Sequence, residues 1–206
     1  MIIGVILAAG QAKRMGQPKQ LLPLGGKPLI RWVAAAACRS KLDQVLVVTG
    51  AYAAEVGLAV HGLPLRLVHN REWERGQASS VVTAVRAAPA EASALLFLLA
   101  DQPLVDEELI NNLIRTYQAS GAAIVAPYWQ SRRGNPVLFD LGTWRPALLE
   151  LTGDAGAKSL LERNAQSICR VQLTSGDAFR DVDTPADYES VVDMWQRRKA
   201  GRDDGA

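Results

Sequence analysis

Hydrophobic runs alternate with amphipathic segments over the first two thirds of the chain. Short apolar runs predict buried strands at Ile2–Ala9, Gln44–Thr49, Leu65–His69, Ala94–Ala100 and Ala122–Pro127. Segments with a helical spacing of apolar residues lie between them, at Pro28–Arg39, Ala53–Val60, Ser79–Ala87 and Asp106–Ala119. Strands that alternate with helices of this length pair in parallel, so the pattern predicts an α/β sandwich.

The pattern becomes irregular after Pro127. It predicts helices near Thr143–Leu151 and Ala155–Asn164, strands near Arg170–Leu173 and Arg180–Val182, and a last helix from Pro185 to about Arg198. We therefore expect one domain over residues 1–196, divided near residue 127, and a flexible charged tail over residues 197–206.

Composition and charge restrict the class of protein. Of the 206 residues, 49% are hydrophobic, which excludes intrinsic disorder. The formal net charge is +2 with acids and bases mixed, so we expect no nucleic-acid partner. The longest apolar run, Ala94–Ala100, is too short to cross a bilayer, and the first residues lack the basic segment of a signal peptide. The two cysteines have no metal-ligand spacing, which favours a cytoplasmic protein. The oligomeric state stays open, with a monomer favoured.

A glycine-containing basic loop follows the first predicted strand. The strand runs to Gly10, and Lys13, Arg14, Gly16 and Lys19 come next. Such loops are typical of phosphate sites, because backbone N–H groups converge around glycines and cations neutralise the oxygens. Neither the dinucleotide fingerprint nor the P-loop pattern fits the spacing of these glycines. A nucleotide is nevertheless the first ligand to consider.

Aspartates follow later segments. Asp101 ends the apolar run Ala94–Ala100, at the edge where open α/β sheets bind ligands. Asp181 and Asp183 are two residues apart, so on a strand they would face the same side. Mg²⁺ takes one or two protein carboxylates together with phosphate oxygens and waters. We therefore predict Asp101 as the main Mg²⁺ ligand, completed by Asp181 or Asp183, with Asp183 nominally favoured.

The pattern L-A-A-G-x-x-x-R-M-G-x-x-K, which continues into LLPLGGKPLI, resembles the signature loop of nucleotidyltransferases. These enzymes load an NTP onto a phosphorylated acceptor and release pyrophosphate. With LADQP at Leu99–Pro103 and DVDTPADY at Asp181–Tyr188, the chain is most similar to the molybdenum cofactor cytidylyltransferases and their close relatives, over Ile3 to about Met194. The resemblance implies a three-layer sandwich with a mostly parallel sheet, the Rossmann-like nucleotidyltransferase fold. It also implies transfer of CMP from CTP to the phosphate of molybdopterin, or molybdenum cofactor.

The resemblance assigns roles to residues of both halves. Residues 1–127 would bind the nucleotide, and residues 128–196 would bind the acceptor and complete the metal site. Arg14, Lys19 and Asp101 would be catalytic, with Arg14 on the β/γ oxygens and Lys19 near the α-phosphate. The nucleotide would contact Leu7, Ala8, Ala9, Gly10, Arg14, Gly16, Lys19, Ser79, Ser80, Ala100 and Asp101. The acceptor would contact Gln102, Gly134, Asn135, Pro136, Asp154, Gly156 and Lys158. The metal would be Mg²⁺, with Mn²⁺ as the alternative.

Purely structural readings accompany several of these residues. A serine of GQASS suits the N-cap of one helix, and Asp154 suits the N-cap of another. Thr184, Pro185 and Asp187 suit the start of the last helix. Ala12 stands where the related loop often has serine. Three other functions stay open: a GTP-using cofactor guanylyltransferase, a sugar- or polyol-phosphate nucleotidyltransferase, and a cofactor carrier that serves a molybdenum hydroxylase.

Overall fold

The elements follow from a computed structural model, which describes residues 1–11 and 17–203. The strands in this part of the chain are β1 (Ile2–Ala8), β2 (Pro23–Leu24), β3 (Lys27–Pro28), β4 (Gln44–Thr49), β5 (Arg66–His69), β6 (Ala94–Leu99), β7 (Ile124–Trp129), β8 (Arg132–Arg133), β9 (Val137–Asp140) and β10 (Ile168–Gln172). The α-helices there are α1 (Leu29–Arg39), α2 (Ala53–Ala59), α3 (Gln77–Ala87), α4 (Glu107–Ser120), α5 (Leu141–Leu149), α6 (Lys158–Arg163) and α7 (Pro185–Asp203). None of these helices is long and apolar enough to cross a membrane.

The main sheet is mostly parallel, as the sequence predicts. Its strand order is β10-β7-β9-β6-β1-β4-β5, with β8 paired to β7. β1 lies between β6 and β4 and pairs in parallel with both, and β5 and β10 also pair in parallel with their neighbours. β9 is antiparallel to β6 and β7, because a short hairpin through β8 replaces a crossover helix.

Helices cover both faces of this sheet, which makes the three-layer sandwich. Side chains of β1 alternate between the layers: Ile6 packs in one cluster with α1 and α4, whereas Ile3 and Val5 pack in the other with α3 and α5. The strands are apolar on both sides because parallel strands are buried on both faces. The fold class predicted from the sequence is confirmed.

A third, smaller hydrophobic cluster anchors the end of the chain. Leu22, Leu24 and Leu29 pack there against Val182 and Val191. Trp32 and Trp195 meet edge to face with their ring centroids 5.4 Å apart. This packing holds the segment before α7 over the carboxyl ends of β1 and β6.

Several local predictions hold and others are wrong. Asp106 caps α4 by accepting from Leu109 N at 3.0 Å. Thr184 and Asp187 cap α7 reciprocally, with Thr184 N donating to Asp187 Oδ2 at 2.9 Å and Asp187 N donating to Thr184 Oγ1 at 3.2 Å. The predicted strand at Arg180–Val182 does not form, because this segment joins no sheet. Residues 197–203, which the sequence assigns to a charged tail, continue α7.

Two predicted N-caps are displaced. α3 begins at Gln77 after Gly76, whose φ of 94° favours glycine, so Ser79 lies inside the first turn. α6 begins only at Lys158, and Asp154 lies in the turn before it. The GDAGAK segment instead docks on α3, where Ala78 N donates to Gly153 O at 3.0 Å.

Candidate active site

A cavity of about 640 Å³ opens at the carboxyl ends of β1 and β6. This is the edge where an open α/β sheet binds its ligand. Six segments of the described chain line it: the end of β1, Lys19 with Gln20, the loop between β5 and α3 with the start of α3, the end of β6 with Asp101, the turn at Asp154, and the segment before α7. Of the residues predicted to bind the nucleotide, those that line the cavity are Leu7, Ala8, Ala9, Gly10, Lys19, Ser80, Ala100 and Asp101. Arg14 and Gly16 lie outside the described residues.

Backbone contacts hold the chain after β1 in place. Gln20 is buried, and its Nε2 donates to Ala8 O at 3.5 Å and to Gly10 O at 3.4 Å. Ala51 N donates to Ala9 O at 3.3 Å. Gly50 permits this approach, since a Cβ there would lie 2.6 Å from Ala9 O. The Ala8–Gly10 backbone therefore has a fixed position at the cavity.

Lys19 joins two of the predicted metal ligands. Its Nζ lies 2.7 Å from Asp183 Oδ1 and also contacts Asp101 Oδ2. Burial would lower the pKa of Lys19, but the two carboxylates outweigh burial, and its pKa is raised. We expected Lys19 to lie beside the nucleotide's α-phosphate, and in the structure its ammonium group is held by carboxylates.

Gln102 acts behind the cavity rather than in it. The side chain is buried and is not among the residues that line the cavity, and its contact with the acceptor stays a prediction. Its Nε2 donates to Asp181 Oδ1 at 2.7 Å. Burial and the nearby charge of Asp101 raise the pKa of Asp181 to about 6, although the Gln102 hydrogen bond opposes the shift. Gln102 thus orients a carboxylate that faces the cavity.

The carboxylates suit a hard divalent cation that is shared with phosphate. No group of three or more Asp, Glu, His or Cys side chains within residues 1–11 and 17–203 is arranged to hold a metal by itself. Asp101 and Asp183 nevertheless bind one cationic group together, the ammonium of Lys19. Mg²⁺ commonly uses one or two carboxylates plus phosphate oxygens and waters, so this donor set fits such a metal.

A buried asparagine organises the loop between β5 and α3. Asn70 Nδ2 donates to Ser79 Oγ at 2.8 Å and to Ser80 Oγ at 3.0 Å. Its Oδ1 accepts from Glu72 N at 2.9 Å. Of the two serines only Ser80 lines the cavity, because Ser79 Oγ donates to Gly76 O at 2.8 Å. Ser79 therefore has a structural position in this loop, and its contact with the nucleotide stays a prediction.

A second cleft of about 530 Å³ adjoins the cavity and shares Leu7, Gln77, Leu99 and Asp154 with it. One wall is apolar and includes aromatic rings, formed by Val81, Phe97, Val137, Phe139 and Leu161. Polar and cationic groups line the rest, from Arg133, Asn135 and Lys158. Burial lowers the pKa of Arg133, which is thus a partly desolvated cation.

Besides Gln102, the other six predicted acceptor residues divide into two groups. Asn135, Asp154 and Lys158 line the second cleft. Gly134, Pro136 and Gly156 line neither cleft. Gly134 instead allows the Phe179 ring to pack, since a Cβ there would lie 2.1 Å from it. Gly156 has a φ of 53° and lies against the Gln77 side chain. These positions shape the backbone around the cleft.

Several lining residues were not anticipated from the sequence. In the cavity they are Gln11, Gln20, Trp73, Glu74, Gly76, Gln77 and Leu99. A usable signal exists for Trp73 and Glu74, which stand between the end of β5 and the GQASS segment, where loops reach the ligand edge of such a sheet. Gln20 carries no such signal, because its role is to bind backbone carbonyls.

The fold and the site define a nucleotide-binding α/β enzyme. The chain belongs to the MobA-like NTP transferase family, whose sequence profile matches residues 4–168, and it is a nucleotidyltransferase. It is 34% identical to the purine catabolism protein PucB of Bacillus subtilis over 200 residues, covering 92% of this chain and 95% of PucB. It is 32% identical to nicotine blue oxidoreductase of Paenarthrobacter nicotinovorans over 191 residues, covering 89% and 92% of the two chains.

Solved structures share this fold. The homologue of Mycobacterium tuberculosis Rv0371c from Mycobacterium sp. strain JC1 superposes with a TM-score of 0.83 at 32% identity, covering 95% of this chain and 97% of that one. Rv0371c itself, solved in complex with manganese, superposes with a TM-score of 0.75 at 26% identity, covering 93% and 98%.

Proposed function

We propose that this protein transfers CMP from CTP to the phosphate of molybdopterin, or molybdenum cofactor, and releases pyrophosphate with Mg²⁺ as the metal. The junction of the two clefts supports this proposal most directly. Asp101 and Lys19 line the first cleft, and an apolar wall that includes aromatic rings lies beside Arg133, Asn135 and Lys158 in the second.

The two clefts suit the two substrates. In the first, the fixed backbone of Ala8–Gly10 and the Lys19 ammonium would receive the triphosphate, with Ser80 nearby. In the second, Phe97 and Phe139 would pack against a flat pterin, and the Asn135 amide would bond its polar edge. Lys158 or Arg133 would neutralise the acceptor phosphate.

The reaction is a direct displacement. An oxygen of the acceptor phosphate attacks the α-phosphorus of CTP, and the bond from that phosphorus to the β-phosphate oxygen breaks as pyrophosphate leaves. Holding both partners in line supplies much of the rate enhancement. The metal, when bound at Asp101 and Asp183, would neutralise charge on the phosphate oxygens. Lys19 would stabilise the charge that shifts at the α-phosphate, and Arg14 would do the same at the β/γ end.

Release of pyrophosphate is the test. Purified protein receives Mg²⁺, molybdenum cofactor and either CTP, GTP, ATP or UTP. Release that requires both CTP and cofactor supports the proposal. Release only with GTP would instead identify a guanylyltransferase. Release with CTP and a sugar or polyol phosphate, but not with the cofactor, would overturn the acceptor assignment.

A folded protein that releases no pyrophosphate but retains the cofactor would point to a carrier for a molybdenum hydroxylase. We propose a molybdenum hydroxylase as the protein partner of the active enzyme, to which the enzyme delivers its product. Copurification of a hydroxylase with the protein, and cofactor-dependent activation of that hydroxylase, would measure it. A cytoplasmic location and a monomeric state stay predictions.

A further inference from the structure

Lys19 occupies the position between two carboxylates that a divalent metal would take. Its ammonium group contacts Asp101 Oδ2 and lies 2.7 Å from Asp183 Oδ1. The side chains of Lys19 and Asp101 are only 26% and 11% exposed, so this pair is partly shielded from water, whereas the Asp183 side chain is 45% exposed. An ion pair in such a setting is screened less than one at the surface.

Two cations cannot share these oxygens without repulsion. A metal that reaches Asp101 and Asp183 must break two charge-assisted hydrogen bonds and leave the Lys19 ammonium without its partners. Removing one partner from a desolvated pair is costly, because the remaining charge stays unsatisfied. A bound triphosphate changes this balance, since its oxygens would offer the ammonium replacement acceptors within the same cavity.

We propose that the Lys19 ammonium competes with the metal for Asp101 and Asp183, so that the metal binds well only when a nucleoside triphosphate takes over Lys19. This inference rests on the metal site in the proposed function and adds how that site is filled. Metal and triphosphate then bind cooperatively, and each raises the affinity for the other by the same factor. The free enzyme would also resist loading with metal alone.

Binding of Mn²⁺ without nucleotide, followed through the electron paramagnetic resonance signal of free Mn²⁺, tests the competition. Lys19→Met removes the charge and keeps much of the side-chain length. We expect it to bind Mn²⁺ about tenfold more tightly than the wild type, within the range usual for coupled sites. Lys19→Arg keeps the positive charge and should bind as weakly as the wild type.

Lys41→Met is the matched control for long-range charge. It lowers the net charge equally, but Lys41 lies near Asp43, whose Oδ2 accepts from Ile2 N at the amino end of β1, away from the cavity. Lys41→Met should leave Mn²⁺ affinity unchanged. Adding Asp101→Asn to Lys19→Met should abolish the gain, because the same carboxylate must hold the metal.

Equal Mn²⁺ affinity in the wild type and in folded Lys19→Met would overturn the proposal that the Lys19 ammonium competes with the metal. An equal gain in Lys41→Met would reduce the effect to net charge and also overturn it. Lys19→Gln replaces Lys19→Met if the latter loses its far-ultraviolet circular dichroism. A non-hydrolysable CTP analogue should tighten Mn²⁺ binding more in the wild type than in the Met variant. These readouts need no turnover, so they stand apart from the choice of acceptor or base.

Discussion

The backbone N–H of Val182 donates a hydrogen bond to the carbonyl oxygen of Asp101, with the two atoms 3.3 Å apart. This contact ties the segment before α7 to the end of β6. It places Asp181 and Asp183 on either side of the joined residue, so that both line the same cavity as Asp101. The acidic side of the site is thus built from positions about eighty residues apart.

Asp101→Asn should abolish nucleotidyl transfer and leave the fold intact. The amide keeps the size of the side chain but cannot hold a metal or the Lys19 ammonium with a full charge. We expect pyrophosphate release to fall by about 10²-fold or more, the scale of losing one charge-stabilising group. Asp193→Asn, on the exposed surface of α7, is the matched control and should keep wild-type rates. Wild-type turnover in Asp101→Asn would refute the assignment.

Asn70→Ala should weaken nucleotide binding more than it slows the chemical step. The change removes the amide that fixes Ser79 and Ser80, and loss of a buried hydrogen-bond partner costs about 1–3 kcal/mol. The KM for the nucleotide should rise while kcat changes little. Thr83→Val is a control, because the hydrogen bond that Thr83 Oγ1 donates to Ser79 O at 2.8 Å lies within α3. A fall in kcat with unchanged KM would contradict this role.

Gly10→Ala and Gly50→Ala should differ in folding stability. At Gly10 an added Cβ meets none of the described residues within 4 Å, so this variant should melt like the wild type and lose affinity only if phosphates approach the backbone there. At Gly50 the Cβ would lie 2.6 Å from Ala9 O and 2.7 Å from Trp73 Cβ. That variant should lose roughly 1–3 kcal/mol of folding free energy, as overpacked sites do. Thermal melts and nucleotide titrations of both variants measure the contrast, and equal melting temperatures would disprove it.

Lys158→Met should raise the KM for the acceptor and leave the KM for the nucleotide unchanged. Lys158 lines the second cleft, and its ion pair with Glu162 Oε1 at 3.7 Å is well exposed. Exposed pairs of this kind contribute little to stability, so the variant should fold normally. Lys41→Met supplies the charge-matched control. If the KM for the nucleotide changed instead, the second cleft would bind the nucleotide rather than the acceptor.

Much of the fold could be predicted from local pattern. The apolar runs at Ile2–Ala9, Gln44–Thr49 and Ala94–Ala100 became β1, β4 and β6 to within one residue, because strands buried on both faces must be apolar throughout. The last helix was predicted from its start, since Thr184 and Asp187 form a local capping pair. The strand at Arg180–Val182 was mispredicted, because three suitable residues cannot reveal whether a sheet edge is available to pair with them.

The sequence by itself determined the alternation of elements, the position of Asp101 at the end of a central strand and the resemblance that led to a nucleotidyltransferase. Only the tertiary structure decided that Lys19 bridges Asp101 and Asp183, that Gln102 supports Asp181 from behind, and that Asn70 holds the serines of α3. The physical reason is the distance along the sequence between the residues that interact. Strand periodicity and helix caps depend on residues within a few positions of one another, whereas these ion pairs and buried hydrogen bonds depend on which distant segments the packed core brings within 3 Å.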